Sequence, residues 1–216
     1  KLTKIKDLKR IRYTTSHPIN MDDELIDLHS NNKKLMPFLH LPVQSGSSKI
    51  LKMMNRKYDV EFYRDIIFKI RDKSPNIEIS SDFIIGYPGE SEQDFINTLD
   101  LIDDIKFTQS YSFIYSARPG TKSAMIEDNL TKKVKSERLK ILQSKLTEIQ
   151  HDFNKTHVGK KTSVLIENQS ATNPEYYFGR TPYMQSVYIK SNNLINGEEK
   201  DIKITSCNHK SLYGTC

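Results

Sequence analysis

Cysteine is scarce in this chain: two of its 216 residues are cysteines, Cys207 and Cys216, both within the last ten positions. Two thiols are too few for a disulfide framework, and their spacing does not suit a zinc site, so both are expected to be ordinary reduced thiols. Long apolar runs are also lacking. None approaches the ~20 residues needed to cross a bilayer. The basic start, KLTKIKDLKRIRY, has no apolar signal core behind it. No membrane partner is expected, and a cytoplasmic location is. Local motifs assemble no Cys/His cluster, no GxxxxGK loop followed by Ser or Thr, and no Ser/His/Asp or Cys/His dyad, so no metal ligand is assigned.

What is present fits an ordinary folded protein, with 36% hydrophobic residues and a mean hydropathy of −0.61. The length allows one α/β domain plus a smaller second one. The net charge of +6 permits a polyanionic partner. Its distribution is more informative, since residues 122–161 hold ten Lys/Arg against five Asp/Glu, and the first dozen residues hold six basic against one acidic. Clustered cations neutralise phosphates and release counterions, which favours nucleic acid; a solvated helix face gives the same pattern.

Strands beginning near residues 10, 38, 77 and 109 alternate with helical patterns, the rhythm of βα units around a parallel sheet. Asn20 is expected to cap a helix through His29, and Asp59 one whose Phe62, Ile66, Ile67 and Ile70 face the sheet. Ser91 with Asp94 forms a capping box ahead of a third, and a longer helix runs from Thr131 to about Thr156. After His157-Val158-Gly159 the period becomes strand-like. Five short segments (KKTSVLIE, EYYFGRT, YMQSVYIK, KDIKITS and KSLYGT) predict a small antiparallel barrel of OB type. The chain divides on this reading into residues 1–155 and 156–216.

Ligand sites of parallel α/β sheets lie at the carboxyl ends of the strands. That rule gathers Thr14, Thr15, Ser16 and His17, then Gln44 and Ser45, then Asp82, Gly86 and Glu90, then Tyr115, Ser116 and Arg118. The set suits binding of a polar ligand better than catalysis. Each member has a plainer role open to it. His17 can bond the loop backbone, Asp82 needs a donor in its apolar strand, and Glu90 can sit at a helix start for the dipole alone. Gly86 can simply shape a turn, and Arg118 can form a rim ion pair.

These segments resemble a known family, the radical S-adenosylmethionine tRNA methylthiotransferases. HLPVQSGS (His40–Ser47) with Ile50-Leu51, Met54-Asn55-Arg56 and Tyr58 is similar to the type that makes 2-methylthio-isopentenyladenosine beside the anticodon. DFIIGYPGES (Asp82–Ser91), YSARPGT (Tyr115–Thr121) and RYTTSHP (Arg12–Pro18) resemble further blocks in the same order. Tyr87 stands where phenylalanine is common, and Lys122 where proline is. The resemblance implies part of a parallel (β/α) radical-SAM barrel followed by a small all-β TRAM barrel that binds tRNA.

It further implies S-adenosylmethionine and [4Fe-4S] clusters as cofactors. By the same resemblance Gln44 and Ser45 face the ribose or methionine part, Asp82 and the Gly86 turn support the cofactor wall, and Tyr115 lies near the adenine. His17, Asn55, Arg56 and Arg118 fall on the tRNA side. The family's cluster cysteines lie in an amino-terminal domain and a CxxxCxxC loop that have no counterpart here. This chain is therefore expected to lack the cluster-bearing amino-terminal portion and to be inactive alone. Other readings stay open: an RNA-binding module without chemistry, a methylthiotransferase acting on threonylcarbamoyladenosine or a ribosomal protein, or an unrelated barrel enzyme with a soluble cofactor.

Overall fold

The computed structural model describes residues 1–14, 17–171 and 173–216; the expected site residues Thr15 and Ser16 lie outside them. The first unit is built on short parallel strands: β1 (Phe38–His40), β2 (Glu78–Ser80), β3 (Asp82–Ile85) and β4 (Tyr111–Ile114). β1 pairs with β2 and β3 with β4, and an isolated bridge between Gln44 and Phe83 carries the ladder past the break at Ser81. Hydroxyls replace the ladder there, because Ser81 N–H donates to Ser110 Oγ at 3.0 Å and Ser81 Oγ accepts from Val43 N at 2.9 Å. β2 and β3 thus act as one interrupted central strand.

The strand expected near residue 10 is reduced to two isolated bridges, Ile11 with Leu35 and Thr14 with His40. The offset between partners changes from 24 to 26 residues between those bridges, so no continuous register exists. Arg10 is also drawn elsewhere, donating to Glu199 at 2.5 Å and to the Arg180 carbonyl at 2.9 Å in the second unit.

Five helices flank these strands: α1 (Asp23–Asn31), α2 (Ser48–Met53), α3 (Val60–Lys73), α4 (Glu92–Ile105) and α5 (Lys132–Lys155). The first is capped by Asp22, whose carboxylate accepts from Leu25 N at 2.8 Å, and not by Asn20. Pro18 fixes the backbone for a 3-10 turn over Pro18–Asn20, which places Asn20 too early. Asp59 caps α3 as expected. The face of α3 is shifted, since Phe62 is 41% exposed while Tyr63, Ile66, Ile67 and Ile70 are buried at helical spacing. Ser91 and Asp94 form the capping box of α4.

The second unit is a closed barrel of β5 (Lys161–Gln169), β6 (Tyr176–Arg180), β7 (Ser186–Lys190), β8 (Glu199–Cys207) and β9 (Ser211–Thr215), in the order β5-β6-β7-β9-β8. One pairing departs from the all-antiparallel expectation: β7 and β9 are parallel. β9 returns from β8 and inserts between β8 and β7, which fixes its direction. Each unit has its own apolar core, one centred on Leu39, Phe83, Ile102 and Leu142, the other on Val164, Val187, Ile202 and Leu212. The junction between them is polar. Asn154 of α5 is fully buried, donates to the Asn208 carbonyl at 2.8 Å and accepts from Gln185 at 2.8 Å and Gln150 at 2.9 Å.

Glu78, half-buried at the start of β2, has its carboxyl pushed up to about 7 by burial, which outweighs the nearby Arg71 guanidinium. The folded chain therefore holds this proton more tightly than the unfolded one. Its contribution to stability is full below the ordinary value of 4.5 and is lost as pH rises through about 7. Glu78→Gln is expected to stabilise the protein by about 1–2 kcal/mol at pH 8, with the gap closing toward pH 4.5. Urea midpoints of the two proteins across that range check this, and a constant gap would refute it.

Candidate functional site at the strand ends

The chain leaves β1 through Leu41-Pro42-Val43 and turns at Gln44, which adopts φ 77°, a left-handed conformation rare for a residue with a side chain. Its backbone still bonds both ways across the sheet, N–H to the Asp82 carbonyl and carbonyl from Ile84 N–H, each at 2.9 Å. Strain of this kind persists where the surroundings over-determine it, and it collects at ligand sites. Gln44 is half-buried.

Ser45 is different. It is 1% exposed, and its hydroxyl accepts from Ser47 N at 3.2 Å and lies 3.5 Å from Thr98 Oγ1. The hydroxyl thus holds the turn into α2. Gly46 packs directly on the α4 backbone, and Ser47 caps α2.

At the end of α2, Asn55 takes φ 59°, its N–H bonding the Lys52 carbonyl and that of Arg56 the Leu51 carbonyl. This is a Schellman stop, a place where asparagine tolerates the left-handed turn. Asn55 is exposed, and the turn aims Arg56 at the strand ends. His17 accepts from Ile19 N at 3.4 Å and sits edge-on to Tyr58, with ring centroids 5.0 Å apart. Burial, with Arg56 and Lys57 nearby, holds its imidazole below the usual value. It performs the backbone-bonding role. Asp82 is not an isolated buried carboxylate, since it is partly exposed and its Oδ2 lies 3.6 Å from His40 Nε2.

Beyond β3 the chain turns at Gly86 (φ 69°) and Gly89 (φ 86°). Gly86 N–H donates to both Glu90 oxygens at 3.2 Å, and a Cβ there would lie 2.7 Å from the Lys135 stem. Glu90 is 4% exposed and meets Arg138 of α5 at 2.7 Å. It is thus more than a carboxylate favoured by a helix dipole, because it ties the turn to the last helix. Arg138 was not singled out from sequence. Lys135 and Arg138 extend the stripe of Leu142 and Leu146 along α5, and a cation on an apolar stripe is the signal for a buried partner.

Four of the expected residues converge. Arg56, Tyr115 and Arg118 line one cavity of about 410 Å3, with Ile84, Tyr87 and Phe113. Ser116 also lines it, and no carboxylate does. Tyr115 packs edge-on to Tyr87 at 4.9 Å, and its buried hydroxyl, like Arg56 Nε, has no partner among the described residues. Buried polar atoms without partners are uncommon and call for a ligand or water. Gln44 and Gly86 stand on the neighbouring strand-end turns and Asp82 at the start of β3, all outside this lining. The cavity offers flat rings and two cations, which suits an aromatic ligand bearing an anionic group. Among the described residues, no three His, Cys, Asp or Glu side chains come together as metal ligands. The described residues at the strand ends do not fit an iron–sulfur cluster.

A model of the radical SAM superfamily matches residues 1–102, and a model of the TRAM domain matches residues 155–216. The tRNA-2-methylthio-N(6)-dimethylallyladenosine synthase of Rickettsia felis is 52% identical over 99% of this chain, and that of Rickettsia conorii is 51% identical over the same share. The chain spans about half the length of these curated relatives, 48% in each case. Among solved structures, coproporphyrinogen III oxidase from Escherichia coli, described as a radical SAM enzyme, superposes with a TM-score of 0.52 at 15% identity. The superposition covers 77% of this chain and 45% of that one, and at this identity it speaks to the fold alone.

Proposed function

The chain belongs to the radical S-adenosylmethionine tRNA methylthiotransferase family, and from that premise we propose that it forms part of an enzyme adding a methylthio group to isopentenyladenosine next to the anticodon. Residues 1–155 contribute the carboxyl-terminal part of the (β/α) barrel, and residues 156–216 contribute the tRNA-binding barrel. The observation that supports this best is the strand-end cavity, whose Tyr115 hydroxyl and Arg56 Nε are buried without protein partners.

S-adenosylmethionine, when bound, supplies the radical chemistry. The residues of this chain bind and orient. Tyr115, Tyr87 and Phe113 offer flat faces to an adenine, while Gln44, Asp82 and the Gly86 turn form the adjoining wall. Arg56 and Arg118 take the anionic side, where phosphate or carboxylate accepts their fixed N–H groups. His17 and Asn55 act through the loops they shape, on the side assigned to tRNA. The cluster ligands come from outside these residues, so the chain alone does not turn over, and the whole enzyme works in the cytoplasm. No helix among the described residues is long and apolar enough to cross a membrane.

The test is anaerobic iron and sulfide quantification on the longest product of the native gene, paired with nucleoside mass spectrometry of tRNA from cells lacking that gene. Bound clusters and loss of the methylthio mark on isopentenyladenosine are expected. Unchanged tRNA would overturn the reading, and anaerobic turnover by residues 1–216 alone would overturn the division of labour.

A further inference from the structure

The outer wall of the second unit carries an aromatic row. Tyr177, Gly179, Val187, Ile189, Leu212 and Gly214 are buried, so the alternate positions of β6, β7 and β9 point outward. The ladder sets Phe178 opposite Tyr188, and Tyr188 opposite Tyr213. Ring centroids are 5.6 and 5.8 Å apart along this row, and the Tyr188 and Tyr213 planes lie only 22° from parallel. The Arg180 guanidinium sits 5.2 Å over the Phe178 ring. Ser211 is buried, and the other eight alternate positions of these strands hold four aromatic rings, two cations, two hydroxyl residues and no carboxylate.

We infer that this row is a stacking platform for unpaired bases of an RNA strand. The inference rests on the tRNA reading above and names the face that would meet the RNA. Each base presents a π-face whatever its sequence, and half-exposed tyrosine and phenylalanine rings held by a sheet are pre-ordered to receive it. Phosphates find Arg180 at one end of the patch and Lys190 at the other. Glu167 and Glu175 now hold these cations at 3.3 and 3.4 Å from the flanks, and solvent-exposed pairs of this kind exchange partners at little cost. An apolar protein partner would leave both cations unanswered; a nucleic-acid strand uses rings and charges together.

The row is also continuous with the first unit. Arg180 lines a cavity of about 450 Å3 together with Arg12, His40 and Tyr111, so the platform opens onto the inner face of the parallel sheet. Tyr111 and Phe113 on that face are 60% and 54% exposed.

Fluorescence anisotropy with a labelled anticodon stem-loop and with a ten-nucleotide single strand tests the platform on the full chain. Tyr188→Leu is expected to weaken both by about 5- to 100-fold, while Tyr188→Phe, which keeps the ring, stays within about twofold. Photo-crosslinking with 4-thiouridine RNA should mark the β6, β7 and β9 peptides, a readout that does not depend on any variant's folding. Wild-type affinity in Tyr188→Leu, or crosslinks confined to other elements, would overturn the platform and leave the tRNA reading standing. Absence of any RNA binding by the full-length gene product would overturn both.

Discussion

Arg138→Ala is expected to destabilise the first unit by about 3–5 kcal/mol, the usual cost of leaving one member of a buried ion pair without its partner. Arg138 reaches Glu90 at 2.7 Å and Glu92 at 2.7 Å and stacks 5.3 Å over the Phe95 ring, so one side chain joins α5 to the Gly86 turn and the start of α4. Burial pushes the Glu90 carboxyl above its ordinary range, while Arg138 and the Gly86 N–H oppose that push. Without Arg138, Glu90 would be held more strongly in its protonated form. The loss should therefore shrink at acid pH, where a neutral carboxyl no longer needs a cation. The double variant Glu90→Leu/Arg138→Met should recover much of it, because two apolar side chains can replace a buried pair. Urea denaturation of the three proteins at two pH values decides the matter, and a cost below about 1 kcal/mol for Arg138→Ala would place the pair with ordinary surface bridges.

The second large effect is expected at Gly46. A Cβ built there lies 2.5 Å from the Asn97 carbonyl oxygen and 2.5 Å from Thr98 Cα, both backbone atoms of α4. Neither can swing aside as a flexible side chain would. Gly46→Ala must push α2 from α4, break the bond from Gly46 N–H to Thr98 Oγ1 at 3.0 Å, and disturb Asp94 nearby. Although burial works against it, the Asp94 carboxyl is held well below the carboxylate range by bonds from Lys49, Ser47 and Ser91. Overpacking against rigid backbone costs about 3 kcal/mol or more. Gly159→Ala is the control, since its φ of 85° is unfavourable for alanine but nothing lies within 4 Å. It should cost about 1 kcal/mol. Thermal unfolding of both variants checks the contrast, and a loss at Gly46 no larger than that at Gly159 would mean that α2 and α4 separate at little cost and that the clash does not set the loss.

Sequence patterns identified most elements for local reasons. Asp59, Ser91 with Asp94, and Thr131 cap helices through bonds three residues long, and such bonds are visible in a string of letters. The barrel strands were legible because alternation of Val164, Ile166, Val187, Ile189, Ile202 and Ile204 with polar neighbours has a period of two. Errors fell where a neighbour in space decided. Asn20 lost its cap to Asp22 because Pro18 closes a turn first, and Phe62 yielded the inner face to Tyr63, whose hydroxyl finds the Leu41 carbonyl at 2.7 Å. Of the residues gathered for the site, Arg56, Tyr115, Ser116 and Arg118 share the cavity, while Asp82 opens β3 at the opposite end of the strand. The contact of the Ser45 hydroxyl with Thr98, 53 residues away, has no signature in the sequence.

The sequence by itself determined the two-part organisation, the βα rhythm and the motif blocks that mark the family, because each depends on composition and short-range spacing. Tertiary structure alone decided the parallel pairing of β7 with β9, the Glu90–Arg138 tie, the buried Asn154 junction and the aromatic row. Each joins residues that are distant in the chain or lie on separate strands, and their energies come from burial and geometry that exist only once those elements have met.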